Sequence, residues 1–281
     1  MDPARLTVPE IAAYLASARR VPEEVFRRLA CDPRASVAAL VSRYQAIRAA
    51  ERRERARLRA LYREDRRRTP LGRLLAGVDE AGRGPLAGPV FAGAVILGSA
   101  VVLTGLDDSK RLTPEAREVL DAEIRTSALA VGIGEASVEE IDRWNILGAT
   151  RLAMRRAVAA LTPPPDYLLI DGRDRLPAQV AQATVIDGDA TCASIAAASI
   201  VAKVARDRAM RTLDEVFPEY GFARHKGYAT AEHFAALARH GPCLAHRRAF
   251  LPEDQLSLFE CESPRSARLG SGEAGGRGER A

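Results

Sequence analysis

Lysine is almost missing from this chain. Of its 42 lysines and arginines only three are lysine, Lys110, Lys203 and Lys226. Whatever bias placed arginine elsewhere spared these positions. An ammonium is a compact donor and a guanidinium a wide planar fork, so the three sites read as places suited to the smaller cation. Asparagine is scarcer still and occurs once, at Asn145. The cysteines, Cys31, Cys192, Cys243 and Cys261, are scattered and form no Cys-x-x-Cys pair. That spacing speaks against a zinc ribbon or a disulfide framework and for a reducing, cytoplasmic setting. His225, His233, His240 and His246 show no metal-ligand spacing, and none is assigned to catalysis. No apolar run approaches the roughly 18 to 20 residues that cross a bilayer. The N-terminus lacks the basic-then-apolar-then-small order of a secretory signal. No membrane partner is expected.

Positive charge is present but unevenly placed. The net charge is +5, yet the stretch from Arg43 to Arg73 carries twelve arginines against Glu51, Glu54, Glu64 and Asp65, so the remainder is acidic. Bulk attraction to nucleic acid therefore concentrates in that one segment. Residues 1–73 read as helical. Thr7 with Glu10 forms a capping pattern, Ile11, Leu15, Val21 and Val25 supply an apolar side, and Asp32-Pro33 marks a second start.

The centre of the chain is Gly77 to Val90, GVDEAGRGPLAGPV. Leu74 to Val78 is a short apolar run suited to a buried strand, and it ends in two adjacent carboxylates, Asp79 and Glu80. Gly77, Gly82, Gly84, Gly88, Pro85 and Pro89 then force a tight, bare turn in which Arg83 is the one bulky cation. Such a loop lets another molecule approach the main chain. Adjacent acids beside an arginine-bearing turn suggest a metal held next to a phosphate.

Further strands are expected at Val90–Leu97, Ala128–Ala136, Tyr167–Ile170 and Ala183–Ile186. Helices are expected after Thr113-Pro114, after the Ser137/Glu140 capping box, through the small residues Ala190–Ala205, around Asp207–Val216, and over Ala231–Ala238. Two strands end in further carboxylates, at Asp171-Gly172 and Asp187-Gly188-Asp189. Asp207 lies between Arg206 and Arg208 and reads as a local ion pair. Pattern alone gives an α/β protein with one main domain.

These stretches, with Leu106-Asp107-Asp108-Ser109-Lys110-Arg111-Leu112, Asn145-Ile146-Leu147-Gly148-Ala149-Thr150 and His225-Lys226-Gly227-Tyr228-Ala229-Thr230, resemble the ordered motifs of ribonuclease HII, the type 2 ribonucleases H. The resemblance covers residues 74–252. It implies a ribonuclease H-like mixed sheet flanked by helices, with residues 1–73 as a helical extension and 253–281 as a disordered tail. It implies an endonuclease that cuts the RNA strand of RNA–DNA hybrids. It also implies incision 5′ to single ribonucleotides embedded in duplex DNA, leaving 3′-hydroxyl and 5′-phosphate ends. Asp79, Glu80, Asp171 and Asp189 would hold two Mg2+ or Mn2+ ions. Gly82, Arg83 and Gly84 would sense the ribose 2′-hydroxyl, Tyr228 would stack on the adjoining deoxyribose, and Lys110, Lys203 and Lys226 would meet phosphates or the active site, Lys226 foremost. Arg83 between glycines and Asp189 as the fourth acid favour type 2 over type 3. The other reading is a hybrid-binding protein with lost chemistry, which the four carboxylates oppose. The family suggests a monomer. Beyond the domain, Gln255-Leu256-Ser257-Leu258-Phe259 resembles the peptide by which bacterial proteins dock on the DNA sliding clamp, with Gln255, Leu256, Leu258 and Phe259 as anchors.

Overall fold

The computed structural model describes residues 5–18, 21–98 and 101–251. Five strands form one sheet: β1 (Leu75–Ala81), β2 (Val90–Ile96), β3 (Ala130–Ala136), β4 (Tyr167–Asp171) and β5 (Ala181–Val185). Their order is β3-β2-β1-β4-β5. β1 is antiparallel to β2, and β2 to β3, whereas β1 and β4, and β4 and β5, run parallel. The expected mixed sheet flanked by helices is what forms.

Both faces of the sheet are covered, so β2 is buried at every residue and reads as an unbroken apolar run. One face carries α5 (Val138–Ala159), and the other carries α7 (Ala193–Val216). Gly132 and Gly134 of β3 face α5, where a Cβ would strike the carbonyls of Ala157 and Ala153. Gly77 and Gly93 face α7, where a Cβ would strike Ser194 and the Ala198 carbonyl. Small residues on both partners bring helix and sheet into close contact. The helical patterns over Ala190–Ala205 and Asp207–Val216 belong largely to one helix, α7, preceded by the single turn α6 (Gly188–Thr191).

Capping follows the sequence. Thr113 accepts from Ala116 N at 3.2 Å to start α4 (Pro114–Ser127), and Ser137 with Glu140 closes a capping box at α5. Asn145 has φ 55° inside α5, and its Oδ1 accepts from Leu147 N at 3.0 Å and Gly148 N at 3.1 Å. It interrupts one helical run and caps the next. Asparagine tolerates this backbone region better than most residues, which accounts for the one asparagine in the chain.

The N-terminal residues form α1 (Val8–Ser17), α2 (Glu23–Ala30) and α3 (Ala35–Arg68). The expected capping box at Thr7 and Glu10 is present. The second start lies past Asp32-Pro33, because Asp32 instead accepts from the Arg34 backbone and guanidinium. Ile11, Leu15, Val21, Leu29, Val37 and Val41 close a small core among these helices. The far half of α3 leaves it: Leu58 and Leu61 are buried with Val95, Ile124 and Ala197 of the main domain. Asp65 accepts from Ser194 N at 2.8 Å and Ser194 Oγ at 3.1 Å, fastening α3 to the start of α7. The expected tail at 253–281, with Gln255 to Phe259, lies outside the described residues.

Candidate active site

The parallel pairing of β1 with β4 sets Val78 beside Ile170, so the next residues on each strand, Asp79 and Asp171, are neighbours. Adjacent strands lie about 4.8 Å apart, which forces two carboxylates together toward the C-terminal ends of two interior strands. One expectation needs correcting. The acids do not sit past the strand, because β1 continues to Ala81 and pairs Asp79 with Gly93 and Glu80 with Ala92. The ladder holds both backbones rigidly.

Asp79 is buried, and its Oδ1 accepts from Glu80 N at 2.7 Å. Glu80 Oε1 meets Arg83 Nη1 at 3.2 Å. Asp171 Oδ1 accepts from Gly188 N at 2.7 Å, which ties β4 to α6, the turn that carries Asp189. Asp189 Oδ2 accepts from Lys110 Nζ at 3.2 Å. The four expected acids thus come from β1, β4 and α6, with Arg83 and Lys110 beside them.

Their electrostatics are those of crowded anions. Burial, then the charges of Glu80 and Asp171, push the Asp79 carboxyl well above its ordinary range. Burial raises Glu80 against the pull of Arg83, and Asp171 adds to the rise. Burial also raises Asp171, with Asp189 adding and the Gly188 amide opposing. Burial works against the Lys110 ammonium, but Asp189 holds it above its usual value. The donors are all oxygens, the set that hard divalent cations prefer. Among the described residues no three acidic, histidine or cysteine groups form a ready-made metal cage. Mg2+-like ions need few carboxylates, because they retain waters and take phosphate oxygens. The residues fit such an open site, and a cation there would relieve the repulsion.

Of the remaining expected residues, Tyr228 is half-exposed and stands beside the glycine turn: a Cβ on Gly84 would lie 4.0 Å from Tyr228 Cε1. Lys226 does not point into the acid cluster. It has φ 53°, and its Nζ donates to Ala223 O at 2.6 Å. Lys203 Nζ is held by Asp207 Oδ1 at 2.5 Å. Asp207 is an ion-pair residue, as expected, but its partners are Lys203 and Arg117, not the flanking arginines. Arg117 also donates to Ser109 O at 2.8 Å and Leu112 O at 2.7 Å, steadying the loop that bears Lys110.

Sequence reading missed two arginines. Arg206 and Arg247 are fully buried under the glycine turn. Gly82, at φ 99°, has no room for a Cβ because the Arg206 side chain occupies that space. The Arg206 guanidinium lies 5.8 Å from the Tyr228 ring centre. In a chain with so many arginines, two more gave no distinguishing mark.

Two histidines were also missed as a unit. Cys243 N donates to His246 Nδ1 at 2.9 Å, and His246 Nε2 lies 3.0 Å from His233 Nε2. His233 Nδ1 lies 2.9 Å from Tyr228 O. One proton assignment satisfies the chain: His246 donates through Nε2 to His233, which donates through Nδ1 to Tyr228 O. Both rings are then neutral, and protonating His233 would set two donors against each other. Burial lowers His246 to about 4, with His233 adding, and burial also lowers His233. A histidine lowered in the folded state contributes stability above its unfolded pKa and loses it as pH falls toward the folded value. Acidification from about pH 6.5 to 4 should therefore cost wild type stability relative to a His246→Gln variant, on the order of 3 kcal/mol from His246. The difference between the two melting curves is the readout, because the raised carboxyls of the acid cluster gain stability over the same range. A difference that does not change with pH would refute the assignment.

Comparison with known proteins follows the same division of the chain. The family model described as Ribonuclease HII matches residues 76–251, and that described as Ribonuclease HII N-terminal domain matches residues 7–67. The ribonuclease HII of Geobacillus thermodenitrificans is 51% identical over 88% of this chain and 95% of its own length. That of Methylibium petroleiphilum, named Ribonuclease HII 2, is 59% identical over 66% of this chain and 85% of its own. Among solved structures, ribonuclease H2 of Pyrococcus horikoshii aligns with a TM-score of 0.55 and 27% identity, covering 66% of this chain and 97% of that one. The structure of a PCNA:RNase HII complex from Archaeoglobus fulgidus aligns at 0.50 with 25% identity, covering 66% and 100%.

Proposed function

This chain belongs to the ribonuclease HII family and is a ribonuclease H, and from that premise we propose how its residues divide the work. Its activity is endonucleolytic cleavage of the RNA strand in RNA–DNA hybrids. The proposed extension is incision on the 5′ side of single ribonucleotides in duplex DNA, leaving 3′-hydroxyl and 5′-phosphate ends. The observation that carries this reading is one juxtaposition. Mutually repelling Asp79, Glu80, Asp171 and Asp189 adjoin a bare Gly82-Arg83-Gly84 turn with Tyr228 beside it.

Asp79, Glu80, Asp171 and Asp189 would hold Mg2+ or Mn2+, a pair of which supplies an activated water and charge stabilisation for phosphodiester hydrolysis. The protein's own residues do the rest. Lys110 holds Asp189 in place, and Arg83 does the same for Glu80. The exposed turn at Arg83 and Gly84 would offer main-chain donors to a ribose, and the 2′-hydroxyl is the group that separates RNA from DNA there. The Tyr228 ring provides a flat apolar face for the next sugar. Lys226, folded onto its own turn, serves the shape of that loop and reaches phosphate only if its bond to Ala223 O is released. The test is hydrolysis of a labelled hybrid with Mg2+, with Mn2+ and with EDTA. Cleavage in EDTA would refute the metal assignment.

The Archaeoglobus neighbour was solved in complex with PCNA, and a DNA sliding clamp is proposed as a partner of this chain through Gln255, Leu256, Leu258 and Phe259. Three apolar anchors and one amide suit an apolar groove with a polar rim. Titration of the cognate clamp should give binding at tens of micromolar or tighter, abolished by Leu258→Ala with Phe259→Ala. Equal binding by the double variant would dismiss the peptide. Among the described residues no helix is long and apolar enough to cross a membrane.

A further inference from the structure

Arg247 has no carboxylate partner, although it is fully buried. Its guanidinium serves main-chain oxygens instead. Nε donates to Gly88 O at 2.8 Å, Nη1 to Arg83 O at 3.0 Å and Pro85 O at 2.8 Å, and Nη2 to Gly82 O at 2.6 Å and Pro89 O at 3.3 Å. A guanidinium has five N–H donors. All five are used, each on a different carbonyl of one eight-residue loop. The backbone around Arg247 grips the same loop: Arg247 N donates to Leu86 O at 2.9 Å, and Gly88 N donates to Ala245 O at 2.7 Å. A buried unpaired cation is costly, and lysine could not reproduce a planar five-donor fork.

The consequence lies on the other side of the loop. In a trans peptide the C=O of one residue and the N–H of the next point in opposite directions. With the carbonyls of Gly82 and Arg83 drawn inward to Arg247, the amides of Arg83 and Gly84 must point outward. Both residues are exposed, and among the described residues neither amide has an acceptor in the protein. Two adjacent outward amides beside the Tyr228 ring are a preorganised donor pair.

We propose that Arg247 is the positioning residue for ribose recognition, fixing the peptide planes of the glycine turn so that the Arg83 and Gly84 amides meet the 2′-hydroxyl oxygen. This rests on the reading that the turn senses the ribose. It assigns Arg247 a role through the loop, with no contact to the reacting atoms.

The test uses the full-length enzyme with Arg247→Lys and Arg247→Met. Binding of a duplex with one ribonucleotide is compared with binding of the all-DNA duplex in metal-free buffer, alongside kcat and KM for cleavage. We expect the preference for the ribonucleotide duplex to fall to parity in both variants, and kcat to fall about 100-fold, the scale of an ångström-sized misplacement. All-DNA affinity should stay within about twofold, because phosphate contacts set it. Lysine should fail to rescue, since it keeps the charge and loses the fork. Folded variants that retain the preference and kcat would overturn the proposal. Should either variant fail to fold, the wild-type protein decides by NMR. Couplings across the hydrogen bonds from the Arg247 guanidinium to the Gly82, Pro85 and Gly88 carbonyls are expected. Shifts of the Gly84 amide should appear with the ribonucleotide duplex and not with all-DNA. Missing couplings, or equal shifts with both duplexes, would overturn it. If wild type itself shows no preference between the two duplexes, the ribose reading fails and takes this inference with it. A preference kept by the variants removes only the role of Arg247.

Discussion

Asp79→Asn should abolish cleavage, leave hybrid binding in place, and raise the melting temperature of the metal-free protein at neutral pH. Metal-held charge stabilisation is worth several kcal/mol, so the loss in kcat should be roughly 1,000-fold or more. Binding comes mainly from phosphate and sugar contacts, which Asp79 does not make. The stability effect has a definite sign. Burial and the neighbouring acids raise Asp79 well above the ordinary carboxylate range in the folded protein. The stability linked to a raised carboxyl is present below its unfolded pKa of about 3.9 and is lost as pH rises through the folded value. Above that unfolded pKa the buried Asp79 carboxyl therefore opposes folding, most strongly once it carries its charge. Asparagine removes that charge while keeping an oxygen for the Glu80 amide. Mg2+ should narrow the gap by stabilising wild type more than the variant. Asp171→Asn should match it in activity. Full Mg2+-dependent cleavage by either variant would contradict the site assignment.

Replacing Arg52, Arg55, Arg59, Arg63 and Arg66 by glutamine should weaken duplex binding and flatten its salt dependence without moving the cut. These five recur at three- and four-residue steps, so they share one face of α3. All are exposed, and among the described residues none has an ion-pair partner. Arg57, Arg67 and Arg68, by contrast, are neutralised by Glu54 and Glu64. A solvated charged helix and a phosphate-binding helix look alike in composition, but an unpaired stripe is the arrangement that phosphates would use. Each phosphate contact steepens the slope of log K against log salt by about 0.9, so the loss should reach up to about 4.5. Substitution is the right probe here. Leu58, Leu61 and Asp65 belong to the main domain's packing, and deleting α3 would strip that support. An unchanged slope would leave the helix a structural element alone.

The sheet and its carboxylates were legible because their causes are local. Strand-length apolar runs ending near Asp79, Asp171 and Asp189 mark the elements, and glycine marks the turn. Capping boxes at Thr7 and Ser137 were legible for the same reason. What sequence hid depends on distant contacts. Arg247 lies 165 residues from Gly82, whose carbonyl it binds. The imidazole chain from Cys243 to Tyr228 exists only once α9 (Ala231–His240) packs against the 243–247 segment. Lys203 and Lys226 were grouped with Lys110 by rarity, yet only Lys110 reaches an acid of the cluster. The strand boundary at Ala81 was missed because pairing with Phe91 overrides the low strand preference of Asp79 and Glu80.

The most direct test is a DNA duplex carrying one ribonucleotide in one strand, incubated with the full-length enzyme and Mg2+ or Mn2+. A single incision on the 5′ side of the ribonucleotide is expected, with a 3′-hydroxyl on one fragment and a 5′-phosphate on the other. An intact strand, or cleavage only where several ribonucleotides are contiguous, would contradict it.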